Sequence, residues 1–246
     1  MNSLTIFEQA IRDLPDDRTL RRDELWTPDF LLQQEKQLAI YYSPIGEYVN
    51  TEAKVVIIGI TPGFDQMRIA FEEATDALHH GASVEETARL VKYTASFAGT
   101  MRRNLVQMLD ALGLAPLLEI DTSASLFHEH QDLLHPTSLL KHPVFYREKN
   151  YSGHQPKIGR SPLLKHYAEE HFVAEINQLH HPVLLIPLGR VVEAQVRSLI
   201  HDGRIEPHHQ LLSGFPHPSG ANGHRKKQFE ENQAYLTKQL IQYFAQ

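Results

Sequence analysis

Two short loops, far apart in the chain, carry side chains that could do chemistry. Residues 59–65 follow an apolar segment directly and contain one small polar side chain, that of Thr61. Residues 215–225 present an imidazole and a hydroxyl, those of His217 and Ser219, between turn-forming residues. An imidazole can donate a hydrogen bond to a developing anion, and a hydroxyl beside free backbone N–H groups suits a phosphate. We therefore expect the second loop to suit a phosphate.

The elements predicted around these loops place them at one edge of a sheet. Buried strands are predicted at residues 55–60, 132–136, 183–186 and 210–213. Helices are predicted at residues 4–14, 65–80, 84–95, 97–112, 163–179, 191–200 and 225–245, and a long loop at 144–162. Strands that alternate with helices indicate a three-layer α/β/α fold with a central, mostly parallel sheet. Loops after the strand ends line the ligand crevice of such a sheet.

Composition narrows the functional classes. The 246 residues contain no cysteine, which excludes disulfides, thiolate zinc sites and cysteine-ligated iron–sulfur clusters. Net charge is −6, yet residues 141–165 hold six basic side chains against one acidic one, a local +5 that would suit a nucleic acid. No stretch is apolar enough to span a membrane, and residues 1–4 do not resemble a secretory signal. We expect one cytoplasmic domain, residues 1–246, with no membrane partner.

The two loops resemble the signature motifs of the uracil-DNA glycosylase superfamily. The first motif of that superfamily is Gly-x-(Asp/Asn/Ala)-Pro-(Tyr/Gly), and residues 59–63 read Gly-Ile-Thr-Pro-Gly. The second is (His/Asn)-Pro-Ser-(Pro/Gly), and residues 217–220 read His-Pro-Ser-Gly. Weaker similarity at Ser96, where the family often opens a helix with a phosphate-contacting serine, extends the resemblance over residues 50–245.

The resemblance implies an enzyme that flips a nucleotide out of DNA and hydrolyses its N-glycosidic bond, without a metal or other cofactor. His217 would stabilise the negative charge on the departing base. Phe64 would stack on that base. The residues expected to contact the DNA backbone are Ser96, Ser219, Asn222, Arg225 and Lys226.

The departures from the family pattern are equally informative. Thr61 stands where an Asp or Asn usually orients the attacking water, and Asp65, four residues on, either replaces that group or caps the following helix. The base-reading Asn is missing, with His135 or Thr137 in its place. Gly63 replaces the Tyr that excludes 5-substituted pyrimidines from strict uracil enzymes, which predicts a roomier base pocket.

These residues are compatible with several functions. The first is a glycosylase for uracil or a modified pyrimidine, and a variant of it removes a bulky modified base from foreign phage DNA in defence. The second is a nucleic-acid-binding module that has lost most catalysis, and the third an unrelated hydrolase of nucleosides or nucleotides. The run His128-Glu129-His130 lacks the spacing of a metal-binding helix, so we expect surface histidines there and no metal site.

Overall fold

The computed structural model describes residues 3–245, which group into two compact units with a sheet in each. The first unit contains the described residues up to Val49, Thr61–Ala98 and Leu140–His166. The second contains Asn50–Ile60, Gly99–Leu139 and the described residues from Tyr167 onward. Residues 1 and 2, on which the expectation about a secretory signal partly depends, lie outside the described residues. That residues 1–246 form one domain stays a prediction.

The elements are numbered here in chain order. The helices are α1 (Ser3–Arg12), α2 (Arg22–Leu25), α3 (Phe64–His79), α4 (Val84–Ala95), α5 (Thr100–Ala111), α6 (Leu114–Leu117), α7 (Pro162–Tyr167), α8 (Val173–Ile176), α9 (Arg190–His201) and α10 (Arg225–Phe244). A π-helical turn, Ala168–Phe172, joins α7 to α8. The strands are β1 (Leu31–Glu35), β2 (Leu38–Tyr41), β3 (Val55–Gly59), β4 (Leu134–Ser138), β5 (Val144–Tyr146), β6 (Lys149–Asn150), β7 (Leu184–Pro187) and β8 (Gln210–Leu211). No helix within residues 3–245 has the length and apolar content needed to cross a bilayer.

The first unit is built on an antiparallel sheet of order β1-β2-β5-β6, together with helices α1, α3 and α4. The apolar faces of these helices meet in one core that includes Phe30, Tyr42 and Phe71. Helix α4 begins as predicted, since the Ser83 hydroxyl accepts a hydrogen bond from the Glu86 N–H at 3.2 Å.

The prediction of a loop over residues 144–162 is wrong for its first part, where β5 and β6 form a hairpin. The two residues between these strands, Arg147 and Glu148, have φ of 51° and 59°. A two-residue hairpin turn of this kind normally carries Asn-Gly or Asp-Gly, which tolerate positive φ. Because Arg-Glu is not a recognisable turn dipeptide, the hairpin leaves no clear signal in the sequence.

The second unit contains the predicted parallel sheet, of order β4-β3-β7-β8, and the predicted α/β fold is confirmed. The central strands β3 and β7 are completely buried, as their uninterrupted apolar sequences require. Strand β4 runs on through Pro136 to Ser138 instead of ending at the proline. Proline is tolerated because β4 is an edge strand, where one row of backbone groups needs no partner. All four carboxyl ends lie at the same edge of the sheet.

Candidate active site

The loop that carries His217 lies against the carboxyl end of β7. The Gly189 N–H, two residues past that strand, donates to the Phe215 carbonyl at 2.9 Å. Gly189 has φ +91°, and a Cβ built there would lie 3.1 Å from the His217 Cβ and 3.5 Å from its backbone nitrogen. Only glycine fits this backbone conformation and this close approach. His217 is thereby held at the carboxyl edge of the parallel sheet.

The His217 ring is held in one tautomer. The Ser219 N–H donates to Nδ1 at 3.2 Å, so Nδ1 carries a lone pair and the ring proton lies on Nε2. Burial lowers the pKa of His217, which keeps the imidazole neutral at neutral pH. No protein acceptor within residues 3–245 contacts Nε2. The result is a fixed neutral N–H donor that is available to a ligand.

Hydrogen bonds to loop carbonyls hold this segment in shape. The Asn104 amide, on α5, donates to the Pro218 carbonyl at 2.8 Å. The Asn222 amide donates to the His217 carbonyl at 3.1 Å and to the Gln228 side chain at 3.0 Å. Both amide hydrogens of Asn222 are therefore used within the protein. These bonds fix the backbone around His217, and contact between Asn222 and DNA stays a prediction.

The other predicted backbone contacts of this loop differ in availability. The Ser219 hydroxyl accepts from the Ala221 N–H at 3.1 Å and keeps its own proton to donate. The Arg225 guanidinium donates to the Ser219 carbonyl at 3.1 Å, which leaves most of its five N–H groups for a phosphate. Lys226, the next residue on α10, is exposed. These three side chains remain candidate phosphate ligands.

In the first unit, the Thr61 hydroxyl ties its loop to the antiparallel sheet. It donates to the His142 carbonyl at 2.9 Å and accepts from the Val144 N–H at 3.0 Å. A hydroxyl has one hydrogen and two lone pairs. One lone pair is therefore left, and Thr61 can only accept a hydrogen bond from a water, not orient it as a donor.

The residues after Thr61 form the beginning of α3. Gly63, with φ −84°, is the N-cap residue, so the interpretation of Asp65 as the cap is wrong. Asp65 is exposed in the first helical turn, where the helix dipole favours a carboxylate. The Asn150 side chain accepts from the Phe64 N–H at 3.0 Å and lies beside Gly63. Phe64 is half-buried, and the Arg22 guanidinium carbon lies 4.9 Å from the centre of its ring.

Two predicted site residues are placed in the protein interior. His135 is fully buried on β4; its Nε2 lies 2.6 Å from Glu175 Oε1, and its Nδ1 accepts from the Asn50 N–H at 3.3 Å. Both ring nitrogens have protein partners, so this placement does not support base reading by His135. Thr137 lies on the same face of β4, closer to the strand end, and is 8% exposed. Of these two residues, Thr137 remains the candidate for reading the base.

Ser96 does not open a helix, contrary to the prediction. It follows the last residue of α4 and is 5% exposed, and α5 begins at Thr100. The predicted helix over residues 97–112 starts late because Phe97 and Gly99 have φ of 56° and 79°, which are not helical. Contact between Ser96 and a phosphate stays a prediction, and the burial of Ser96 weakens it.

Three positions that help to build the site were given no role in it from the sequence. Gly189 falls where the family has a strand that ends in glycine, but that similarity assigned it no function. Asn104 lies on the predicted α5 helix with nothing to mark its contact to the distant Pro218 carbonyl. Asn150 falls in the segment predicted as a loop, and its contact with Phe64 depends on the β5–β6 hairpin.

Comparison with known proteins identifies the family. The model of the uracil DNA glycosylase superfamily matches residues 46–241. A relative in Bacillus subtilis (strain 168), named "Uncharacterized protein YoxB", is 45% identical over 239 residues, which cover 97% of this chain and 92% of that protein. No solved structure matches the chain significantly. The family match covers both candidate loops, and the chain belongs to the uracil DNA glycosylase superfamily.

Proposed function

We propose that this protein is a DNA glycosylase that receives a flipped nucleotide and hydrolyses its N-glycosidic bond, with uracil or a modified pyrimidine as the base. The observation that carries the proposal is the state of His217: a neutral ring whose Nδ1 is occupied by the Ser219 N–H and whose Nε2–H is available. Membership of the superfamily supports the same reaction.

The reaction begins with the bond between C1′ of the sugar and the pyrimidine nitrogen. As this bond breaks, its electron pair goes to the base and the sugar becomes an oxocarbenium ion. Negative charge then accumulates on the base, where a fixed N–H donor stabilises it more than it stabilises the neutral starting base. Water adds to C1′ and loses a proton to a nearby base or to solvent, and the released pyrimidine anion takes a proton in turn.

The group that directs the water is proposed to be Asp65 rather than Thr61. Thr61 uses its hydrogen and one lone pair on the backbone of residues 142–144. The Asp65 carboxylate is exposed and lies four residues further on. A carboxylate is a base at neutral pH, whereas a hydroxyl is not.

Asp65→Asn is expected to slow base release by less than the roughly 10²-fold that general-base catalysis usually contributes, because bond breaking leads. The free energy of unfolding should fall by no more than about 1 kcal/mol, the usual contribution of a carboxylate in the first turn of a helix. Thr61→Val is expected to lower the free energy of unfolding by about 1–3 kcal/mol, since the Val144 N–H loses its acceptor. Single-turnover rates and urea unfolding would be measured together, with Thr61→Ser as the variant that keeps both hydrogen bonds. A Thr61→Val enzyme that is slowed far more than Thr61→Ser, beyond what its loss of stability explains, would assign the water to Thr61 instead.

Pocket size is tested at Gly63. Its φ of −84° accepts any side chain, and a new Cβ would meet only the flexible end of Asn150, at 3.2 Å. Gly63→Tyr is therefore expected to fold. It should suppress release of a 5-substituted pyrimidine by roughly tenfold more than release of uracil, because the tyrosine ring fills the space for the substituent. Gly63→Ala requires the same shift of the Asn150 side chain but adds no ring, so it serves as the control. Equal losses on both bases, or equal losses in both variants, would contradict the pocket assignment.

The open position at Gly63 favours a second candidate within the same reaction class. Such an enzyme would remove a bulky modified pyrimidine from foreign phage DNA, in defence rather than repair. Mass spectrometry of bases released from DNAs that contain uracil or enlarged pyrimidines decides between the two. DNA binding without base release would instead support a binding module, and release from free nucleosides would support a nucleoside hydrolase.

A further inference from the structure

An aromatic cluster lies in the first unit next to the start of α3. Trp26 is the only tryptophan of the chain. Its ring stacks on Tyr41 with centroids 5.7 Å apart and planes 12° apart, and it meets the edge of Phe64 at 6.3 Å and 86°. Trp26, Tyr41 and Phe64 are all half-buried, so each keeps part of its ring in solvent. We call these three residues and Arg22 the Trp26 platform.

The guanidinium of Arg22 lies over two rings of this platform and has no acidic partner in the described part of the chain. Its guanidinium carbon is 4.6 Å from the centre of the Trp26 ring and 4.9 Å from that of Phe64. Within residues 3–245 no carboxylate lies within 4.0 Å of it. The preceding Arg21, by contrast, is paired with Asp23 at 3.2 Å and with Glu24 at 3.6 Å. Arg22 is exposed, so its charge is available to an anion from solvent.

Two polar groups, at Trp26 and at the residue that follows it, are not satisfied by the protein. The Trp26 indole nitrogen and the Thr27 hydroxyl are buried and have no hydrogen-bond partner in the described part of the chain. A buried donor without an acceptor costs about 1–3 kcal/mol. Buried polar groups without a partner require an explanation, and a ligand that binds beside the half-exposed rings and the guanidinium would supply one.

Most of the platform lies outside the family match. Arg22, Trp26 and Tyr41 precede residue 46, where the match begins, and only Phe64 lies within it. Phe64 directly follows Gly63 at the end of the first candidate loop. The N-terminal segment thus adds two aromatic rings and a cation to a residue that the family resemblance predicts to stack on the substrate base.

We propose that the Trp26 platform binds an unpaired nucleotide of single-stranded DNA, adjacent to the nucleotide that the first loop receives. Aromatic rings hold unpaired bases by stacking without regard to sequence. A guanidinium can stack on the same base or bind the phosphate that follows it. This inference rests on the proposed function and adds that the substrate is single-stranded or locally unpaired at this position.

The single tryptophan makes the test direct, because selective excitation reports on Trp26 alone. Full-length protein carrying His217→Ala, which is expected to bind DNA but to release base about 10²–10³-fold more slowly, is titrated with oligothymidylate. An oligomer of abasic sites with the same length and charge is the second ligand. Stacking predicts strong quenching of the Trp26 fluorescence by oligothymidylate and little quenching by the abasic oligomer. Equal quenching by both, or none by oligothymidylate at saturation, would overturn the proposal.

Two arginine variants separate this site from general electrostatics. Arg22→Ala is expected to weaken oligothymidylate binding about tenfold, and to reduce the log–log salt slope by roughly 0.7, the value for one phosphate on a single strand. Arg21→Ala removes the same charge one residue away, where it is already paired, and should change neither quantity. Phe64→Ala should weaken binding similarly, and Tyr235→Ala, which removes a 57% exposed ring from α10, should not. Equal effects of the two arginine variants would also reject the platform.

Base release measured in parallel separates this inference from the proposed function. A wild-type protein that releases no base but shows base-dependent quenching would refute the glycosylase and leave the platform intact. A protein that releases base from single strands and duplexes, yet shows no quenching, would refute the platform alone. Loss of quenching in a variant counts only when its far-ultraviolet circular dichroism matches that of the wild type.

Discussion

His217→Ala is expected to slow release of the substrate base by about 10²–10³-fold while DNA binding stays close to that of the wild type. The structure explains why so much depends on one side chain. Its Nδ1 is occupied by the Ser219 N–H, so the only proton of the neutral ring lies on Nε2. A donor fixed in advance requires no reorganisation when the base becomes an anion. Alanine removes that donor and leaves the bond-breaking step without its main electrostatic support.

The measurement is single-turnover base release, with binding followed on an uncleavable oligonucleotide. His224→Ala, which removes an exposed imidazole seven residues further on, serves as the matched control and should keep the wild-type rate. Because burial lowers the pKa of His217, the wild-type rate should stay level as the pH falls from neutral to about 6.5, the ordinary pKa of histidine. It should fall only below that, when protonation of Nδ1 deprives the Ser219 N–H of its acceptor. A His217→Ala variant that binds and cleaves normally would remove the central residue of the proposal.

The parallel sheet could be predicted because its strands are defined by local sequence. The apolar runs that became β3 and β7 are buried on both faces, and such runs are recognisable without knowledge of the rest of the chain. The two candidate loops follow from the same signal, since each comes after a strand. The hairpin of β5 and β6 could not be predicted in this way, because Arg147 and Glu148 adopt positive φ without being turn-forming residues.

The roles of individual site residues depend on partners that are distant in sequence. The sequence predicts His135 on a strand. The alternation of side chains along a strand indicates which face of the sheet a residue lies on, but not which residues pack against that face. Glu175, forty residues later, accepts the proton of His135 and makes that residue part of the interior. The Thr61 hydroxyl likewise makes its hydrogen bonds with backbone groups of residues 142 and 144, more than eighty positions away. His217 stays a prediction, and its hydrogen-bond partner Ser219 is only two residues away, so this contact lies within the local sequence.

Gly189→Ala is expected to damage the enzyme almost as much as loss of His217, although Gly189 contributes no side chain. Its φ of 91° and ψ of 165° fall in a region that only glycine populates freely, and a residue forced into such a region costs about 1–3 kcal/mol. The added Cβ would also lie 3.1 Å from the His217 Cβ and 3.5 Å from its backbone nitrogen. Neither atom is the end of a flexible side chain, so the His217 segment itself has to move.

A displacement of about 1 Å in a catalytic group can cost roughly 10²-fold in rate, and we expect a loss of that size in single-turnover base release by Gly189→Ala. Urea unfolding should show the loss of about 1–3 kcal/mol in the same variant. Gly113→Ala is the matched control, since Gly113 has φ +80° and nothing within 4 Å of its Cβ position. It should lose stability because alanine is strained at positive φ there too, but it should keep the full rate. If both variants lose rate in proportion to stability, the effect of Gly189 is strain alone. If only Gly189→Ala loses rate beyond its loss of stability, the close approach of Gly189 to His217 is what positions the donor.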